Sequence, residues 1–432
     1  MQSVELSRRR ALALGALATL SAALLGACSD EVPGRGSHGG SGGVFKPASG
    51  PAKPVGVSEA PEYVGAQLGF AFALLGQTSA ATSQGNVIIS PYSVAQVLSM
   101  IAQGAAGTTY EQIAAAMGIE GPADVLAKGS NATAGALEDL AKTTLSSGNA
   151  LFRSAQFAVK KPFDQAMIDD FGTASYPTDF GNPTNAVGKI NDWVAQSTND
   201  KIKKLLKPNQ VDANTRMVLV NAVYMLAKWK EQFDPDDTKP STFQAASGDT
   251  KVAKMVEKLT FRYAELDGVE IVDLPYEDDN LLATFVVPPA GGLDAALKSG
   301  TSLASLVADE RPEIEATLLL PKFEARLRVE LTDVLGQLGI TQAFTTTADF
   351  SALSDEPTHV SFVQHEAWVK VGEKGTEGAA ATAGGQAATA VPGEKNPKIV
   401  DIDRPFIFLV REKTSNAVLF AATVRDPSLA AK

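Results

Sequence analysis

The sequence predicts an α+β fold of helices surrounding largely antiparallel sheets, and three observations predict it. Apolar residues recur at helical spacing mainly in the first half of the chain, as at Leu68, Ala71, Phe72 and Leu75. From Met217 onward, strand-like alternation and short apolar runs dominate. The chain closes on two apolar runs, Pro405 to Arg411 and Val418 to Val424, joined by a Thr414-Ser-Asn416 turn into a terminal hairpin. No internal repeat is present.

Ahead of these elements the chain reads as an export leader and a tether. Arg8-Arg9-Arg10 precedes an apolar run, Ala11 to Leu25, too short to span a bilayer comfortably. The run ends in Leu25-Gly-Ala-Cys28, which resembles a bacterial lipobox, so residues 1–27 are expected to be a lipoprotein signal peptide and Cys28 the lipidated residue. Ser7 and the arginines also resemble a twin-arginine signal. Cys28 is the only cysteine, so no internal disulfide can form. Residues 28–61 are rich in Gly, Ser and Pro and are expected to be a flexible tether. Gly34-Arg-Gly-Ser-His-Gly39 matches a dinucleotide pattern without the strand and helix that would give it meaning. An exported protein, held at the cell envelope by a lipid or extracellular, is the expected outcome.

In the folded part, expected over 62–432, Asn86 to Ser90 reads as a short strand and Ser90-Pro91 as a helix start, with the helix ending at Gly104. Further helices are expected at Thr109 to Met117, Ala123 to Lys128, Leu137 to Thr143 and Val187 to Leu206. Strands are expected at Ser147 to Phe152, Met217 to Leu226, Val269 to Pro275, Leu281 to Pro288, Glu315 to Leu320 and Glu324 to Glu330. With 44% hydrophobic and 20% charged residues the composition is that of an ordinary globular protein. A net charge of -11 and a pI near 5.0 argue against a nucleic-acid or anionic-membrane surface. The basic cluster Lys201-Ile-Lys-Lys-Leu-Leu-Lys207 is read as a solvated helix end.

The stretch with the clearest functional content follows the strand-like segment His359 to Val371. From Glu373 to Ala390 the chain is almost wholly Ala, Thr and Gly, a composition that ordinarily marks a linker. Yet Thr376, Gly378, Ala380, Thr382 and Gly384 are small and uncharged at period two, and Glu377 falls on the other face. Such a segment could slide between two packed strands and turn one face inward.

Several motifs, in order, then resemble the serpin family over about residue 62 to Pro427. They include Asn86-Val-Ile-Ile-Ser-Pro-Tyr-Ser93, Ile190-Asn-Asp-Trp-Val194, Leu219-Val-Asn-Ala-Val-Tyr224, Leu320-Pro-Lys-Phe323, Glu373-Lys-Gly-Thr-Glu377 and Asp403-Arg-Pro-Phe406. The resemblance implies three β-sheets with surrounding helices and an exposed, mobile reactive-centre loop over about 373–397. It also implies a non-enzyme: a monomeric suicide-substrate inhibitor of serine proteases, without cofactor or metal, that inserts its cleaved loop into the central sheet.

By position, the resemblance implies a hinge at Glu373, Gly375, Thr376, Glu377, Gly378, Ala379, Ala380, Ala381 and Thr382. Gly378 departs from the Ala usual in inhibitory members, and glycine weakens a strand by about 0.5–1 kcal/mol. Ser90, Ser93, Asn221 and His365 fall where the family has a polar shutter, and Trp229 falls at the breach where insertion starts. Family spacing puts the scissile bond at Thr389-Ala390. Its small neighbours suit an elastase-like or subtilisin-like protease better than one with a deep charged or wide aromatic pocket. The alternative is a non-inhibitory serpin acting as a binding or scaffold module. An enzyme is disfavoured because the chain has three histidines and no nucleophile-elbow or metal-ligand spacing.

Overall fold

A computed structural model describes residues 53–82, 85–377 and 398–430. The helix signalled by Leu68 to Leu75 is α1 (Pro61–Ala81), with proline at its first turn, where no N–H is needed. A short strand β1 (Val87–Ile89) leads into α2 (Pro91–Ala102), whose N-cap Ser90 Oγ accepts a 3.3 Å bond from Ser93 N. Then come α3 (Gly107–Ala116), α4 (Ala123–Glu138), β2 (Thr144–Ser154), α5 (Lys161–Phe171), β3 (Ser175–Thr178) and α6 (Pro183–Ser197). Strands β4 (Met217–Lys228), β5 (Lys239–Ala245), β6 (Gly248–Leu266), β7 (Val269–Pro275) and β8 (Leu281–Val287) follow. After α7 (Leu293–Lys298) and α8 (Gly300–Ala308) come β9 (Glu313–Pro321), β10 (Phe323–Glu330) and α9 (Thr332–Gln337). The last strands are β11 (Val360–Gly372), β12 (Gly375–Glu377), β13 (Ile399–Asp401), β14 (Phe406–Glu412) and β15 (Val418–Val424).

The mixed α and β architecture with largely antiparallel pairing is present, and β14 and β15 form the terminal hairpin, Asn416 turning it at φ 54°. Where three sheets are expected, the described strands make two hydrogen-bonded networks. One runs β1-β15-β14-β8-β7-β6-β9-β13 with β5 also on β6, and the other β10-β11-β12-β4-β2-β3. The difference lies in β6, whose 19 residues pair with β5 through Gly248–Lys254 and with β7 through Arg262–Leu266. One long strand thus joins two sheets into a single ladder.

Three expectations are corrected. The helix expected at Ala123 to Lys128 runs on to Glu138 as α4, and of the helix expected at Leu137 to Thr143 only the first two residues are helical, as the end of α4. Gly129 looks like a breaker but serves packing, since a Cβ there would lie 2.0 Å from Tyr63 Cγ of α1. The helix expected to reach Leu206 stops at Ser197, because Asn199 and Asp200 turn to φ 50° and 62°. The lysines of the basic cluster therefore sit on irregular chain. The tether does not run to residue 61 either: the fold begins by Lys53. Asn131 of α4 donates to Lys53 O at 2.8 Å and accepts from Val55 N at 2.9 Å, and Val57–Glu59 forms a turn of 3-10 helix ahead of α1.

Two large apolar clusters each draw on both networks: one packs α1–α5 against them, and the other joins β6–β9, β14 and β15 of the first network to β4, β10 and β11 of the second. A third lies on the opposite face of the second sheet, where Ile190, Trp193 and Val194 of α6 cover Phe152 of β2 and Val218 and Val220 of β4. The second sheet is thus covered on both faces around β4.

Candidate functional site

Strands β4 and β11 are neighbours in parallel from Met217↔Val360 up to Val223↔Ala367, and above that point they part. Into the fork goes β12, antiparallel to both: Thr376 pairs with Val371 on one side and Ala227 on the other. Gly375 makes this entry sterically possible. Its φ is +150°, and a Cβ would lie 2.0 Å from Ala227 O. Thr376 points inward as period two requires, but the expectation of a solvent-exposed hinge fails at this residue. Its side chain is 1% exposed, and its Oγ1 shares a 2.6 Å hydrogen bond with the buried Tyr276 hydroxyl. Glu377 is half-buried on the other face. Gly378, Ala379, Ala380, Ala381, Thr382, Thr389 and Ala390 lie outside the described residues, as does Cys28.

The mouth of the fork is tightly tied. Trp229, wholly buried, stacks on Tyr276 with ring centroids 4.6 Å apart at 15°. Its Nε1–H donates to Gly372 O at 2.8 Å and its backbone N–H to Lys374 O at 3.0 Å. Phe233 N–H donates to Glu373 O at 3.0 Å. The Glu373 carboxylate accepts from Lys322 Nζ at 2.8 Å and Thr238 Oγ1 at 2.9 Å. Burial alone would push this carboxyl up, but hydrogen bonds from Lys322, from the Glu373 backbone and from Thr238, together with the lysine charge, outweigh it and hold Glu373 below its ordinary value. Trp229 and Glu373 come together at the mouth of the fork. Tyr276, Lys322 and Thr238 were not legible, since each lies about 50 to 135 residues from the hinge residue it touches.

Below the fork, His365 of β11 faces Asn221 of β4 in register. Ser90 N–H donates to His365 Nε2 at 3.1 Å, so the proton sits on Nδ1, which donates to Asn221 Oδ1. Asn221 Nδ2 donates in turn to Asn149 Oδ1 of β2 at 2.9 Å. Burial pushes His365 down to about 3, so the ring is neutral at ordinary pH. Three of the four expected polar residues, Ser90, Asn221 and His365, thus form one network. Ser93 joins by its backbone, while its Oγ is buried with no hydrogen-bond partner among the described residues. Asn149 is the member that sequence reasoning missed; its polar position in a strand was the available signal.

A family profile described as "Serpin (serine protease inhibitor)" matches residues 66–427. The leukocyte elastase inhibitor of Bos taurus is 32% identical over 358 residues, covering 79% of this chain and 93% of that relative. Glia-derived nexin of Homo sapiens is 31% identical over 361 residues, covering 79% and 88%. Among solved structures, Manduca sexta serine protease inhibitor (serpin)-12 superposes with TM-score 0.74 at 28% identity, covering 85% of this chain and 99% of that one. Thyroxine-binding globulin in complex with thyroxine superposes with TM-score 0.73 at 28% identity, covering 85% and 100%. The profile runs through almost all of the folded chain, the curated relatives are covered nearly end to end, and the fold is theirs: the chain belongs to the serpin family.

Proposed function

We propose that the protein is a suicide-substrate inhibitor of serine proteases, and one observation carries this reading: β12 already occupies the mouth of a fork between two strands. The protease serine attacks the Thr389 carbonyl, the Thr389-Ala390 bond breaks, and the Ala390 amine leaves, with Thr389 held as an ester. The freed chain then zips downward between β4 and β11 before water reaches the ester. The two ladders that flank β12 support this path. Continued in register, both place position 382 between Asn221 and His365, which already face each other in the β4–β11 ladder. The zipping strand therefore has to replace the Asn221–His365 hydrogen bond and open the polar network as it passes. About ten new ladder hydrogen bonds, at roughly 1 kcal/mol net each, supply the drive. The native state is then a trapped one, held by barriers.

The residues around Thr389-Ala390 fit a primary pocket for small side chains, so an elastase-like or subtilisin-like enzyme is the target class. The leader and Cys28 place the inhibitor at the cell envelope on a lipid anchor. A binding-module reading has one observation in its favour. Thyroxine-binding globulin shares the fold, and this chain has an open cavity of about 790 Å³ between α1 and α7–α8.

A panel of elastase-, subtilisin-, trypsin- and chymotrypsin-like proteases separates the two. The first two enzymes are expected to give a denaturant-stable complex and a C-terminal fragment starting at or near Ala390. Clean cleavage with no complex from any of the four would support the binding module, and a fragment starting after Lys395 would overturn the assigned register.

A further inference from the structure

The chain enters the fold on the lower half of the second sheet. Lys53 is held by Asn131 of α4; its N–H donates to Asp169 O of α5 at 3.1 Å, and its ammonium pairs with the Asp169 carboxylate. Earlier in α5, Asp164 accepts from Ser175 Oγ of β3 at 2.7 Å, and that oxygen accepts from Arg153 Nε of β2 at 3.1 Å. Arg153 stands level with Met217, the first residue of β4, and Ser175 with Leu151, two steps higher. The mouth of the fork is level with Leu226, about 30 Å up the strand. The ladder between β12 and β4, continued in register, carries position 389 to the level of Asn214, below the start of β4. A protease esterified to Thr389 therefore travels from the end of the sheet far from the chain's point of entry to the end near it.

We infer that residues 29–52 are a spacer, long enough to let the trapped protease fit between the folded body and the membrane. The inference rests on the insertion and lipid-anchor readings. A protease domain of about 220–280 residues is about 45 Å across. At about 3.3–3.6 Å per residue, residues 29–52 reach about 80 Å at full stretch. As a Gly-rich coil they would average about 25–30 Å, less than the protease needs. Before cleavage nothing occupies that space; arrival of the protease draws the tether out to little more than half its reach. A tether of a quarter the length, about 20 Å at full stretch, would press the protease into the membrane instead. It would do so during the last steps of insertion, which compete with hydrolysis of the ester. The length of the tether thus helps to set how many inhibitor molecules are consumed per protease trapped.

Deletion of residues 34–51 tests this, since it leaves six residues between Cys28 and Lys53 and keeps the contacts of Lys53 with α4 and α5. The lipidated protein is reconstituted in liposomes, treated with an elastase-like or a subtilisin-like protease, and run on a denaturing gel. In the anchored protein the deletion is expected to raise the number of molecules consumed per protease trapped severalfold. The cleavage rate should not change, because cutting precedes the protease's journey. The same deletion in Cys28→Ser protein, free of the membrane, should leave the number unchanged. So should replacing residues 34–51 of the anchored protein by Gly and Ser of equal length. An unchanged number for the anchored deletion overturns the spacer. An equal rise in the Cys28→Ser protein or in the Gly/Ser replacement overturns it too, since fold or sequence, not room, would then be at work. Cleavage without complex in every form, the released ones included, overturns the inhibitor reading and the spacer with it. Cys28→Ser protein that stays on the liposomes overturns the lipid anchor at Cys28, and again the spacer.

Discussion

At the scale of single residues, the site turns on positions with no chemical reactivity of their own. Gly375 is required by steric fit: at φ +150° with Ala227 O 2.0 Å from where a Cβ would be, no other residue can start β12. Gly375→Ala should therefore expel residues 375–377 from the fork. Faster amide hydrogen exchange at Thr376, Glu377 and Ala227 is the expected result, and unchanged protection would mean that the close approach is not real. His365 gives a prediction in pH. Its folded value, about 3, lies below the 6.5 of the free side chain. The unfolded chain therefore binds a proton in that window and the folded one does not. The ring costs no stability above pH 6.5, and stability falls as pH drops from there toward 3, by up to about 1.4 kcal/mol per pH unit. Tm measured from about pH 8 to about pH 4 should fall more steeply in wild type than in His365→Gln. Parallel profiles would show that the ring is not buried neutral.

At the scale of elements, the sequence was most legible where one physical signal dominated. The terminal hairpin, β4 and β8 are largely apolar runs, β11 shows apolar/polar alternation, and all are found within a residue or two of their expected bounds. Strands β5 and β6 went unread because their solvent faces carry Thr, Lys and Glu between single buried residues, a weak alternation over a long span. Asn221 and His365 stood out as polar residues inside apolar strands. The burial of Thr376 could not be read, because it depends on Tyr276, 100 residues away. The same limit blurred the start of the fold, since a run of Pro, Lys and Val gives no sign that Asn131 will bind it. A deletion up to residue 52, or Cys28→Ser, should release the protein from membranes with Tm and protease trapping unchanged. Deletion up to residue 60 removes the backbone bonds at Lys53 and Val55 and should lower Tm by several degrees. Continued membrane association of Cys28→Ser would rule out the lipid at that residue, and equal Tm for the two deletions would make residues 53–60 a true tether.

At the scale of the whole molecule, the question is whether the fork at the top of β4 and β11 is the start of a path or merely a static join. Thr376→Arg decides it, and the buried position of Thr376 changes what the variant should do. An arginine cannot stay beside Tyr276 without leaving a charge unpaired in a buried site, at a cost of several kcal/mol. The hinge should therefore leave the fork in the uncut molecule, giving up the three-residue ladder and the Tyr276 hydrogen bond, and the native protein should melt a few degrees lower. Cleavage at Thr389-Ala390 should remain as fast, because those residues lie far along the chain from the substitution. Insertion must begin by returning residue 376 to the fork, so it becomes slower than hydrolysis of the ester, and the protein turns from inhibitor to substrate. Gly378→Ala should act in the opposite sense, since alanine favours the strand and consumes fewer inhibitor molecules per protease trapped. On a denaturing gel Thr376→Arg should give cleaved protein and free protease, while Thr376→Ser, which retains the hydroxyl, should still give the complex. A Thr376→Arg protein that traps protease with undiminished efficiency would show that the fork is a static join and that the acyl-enzyme is held by some other means.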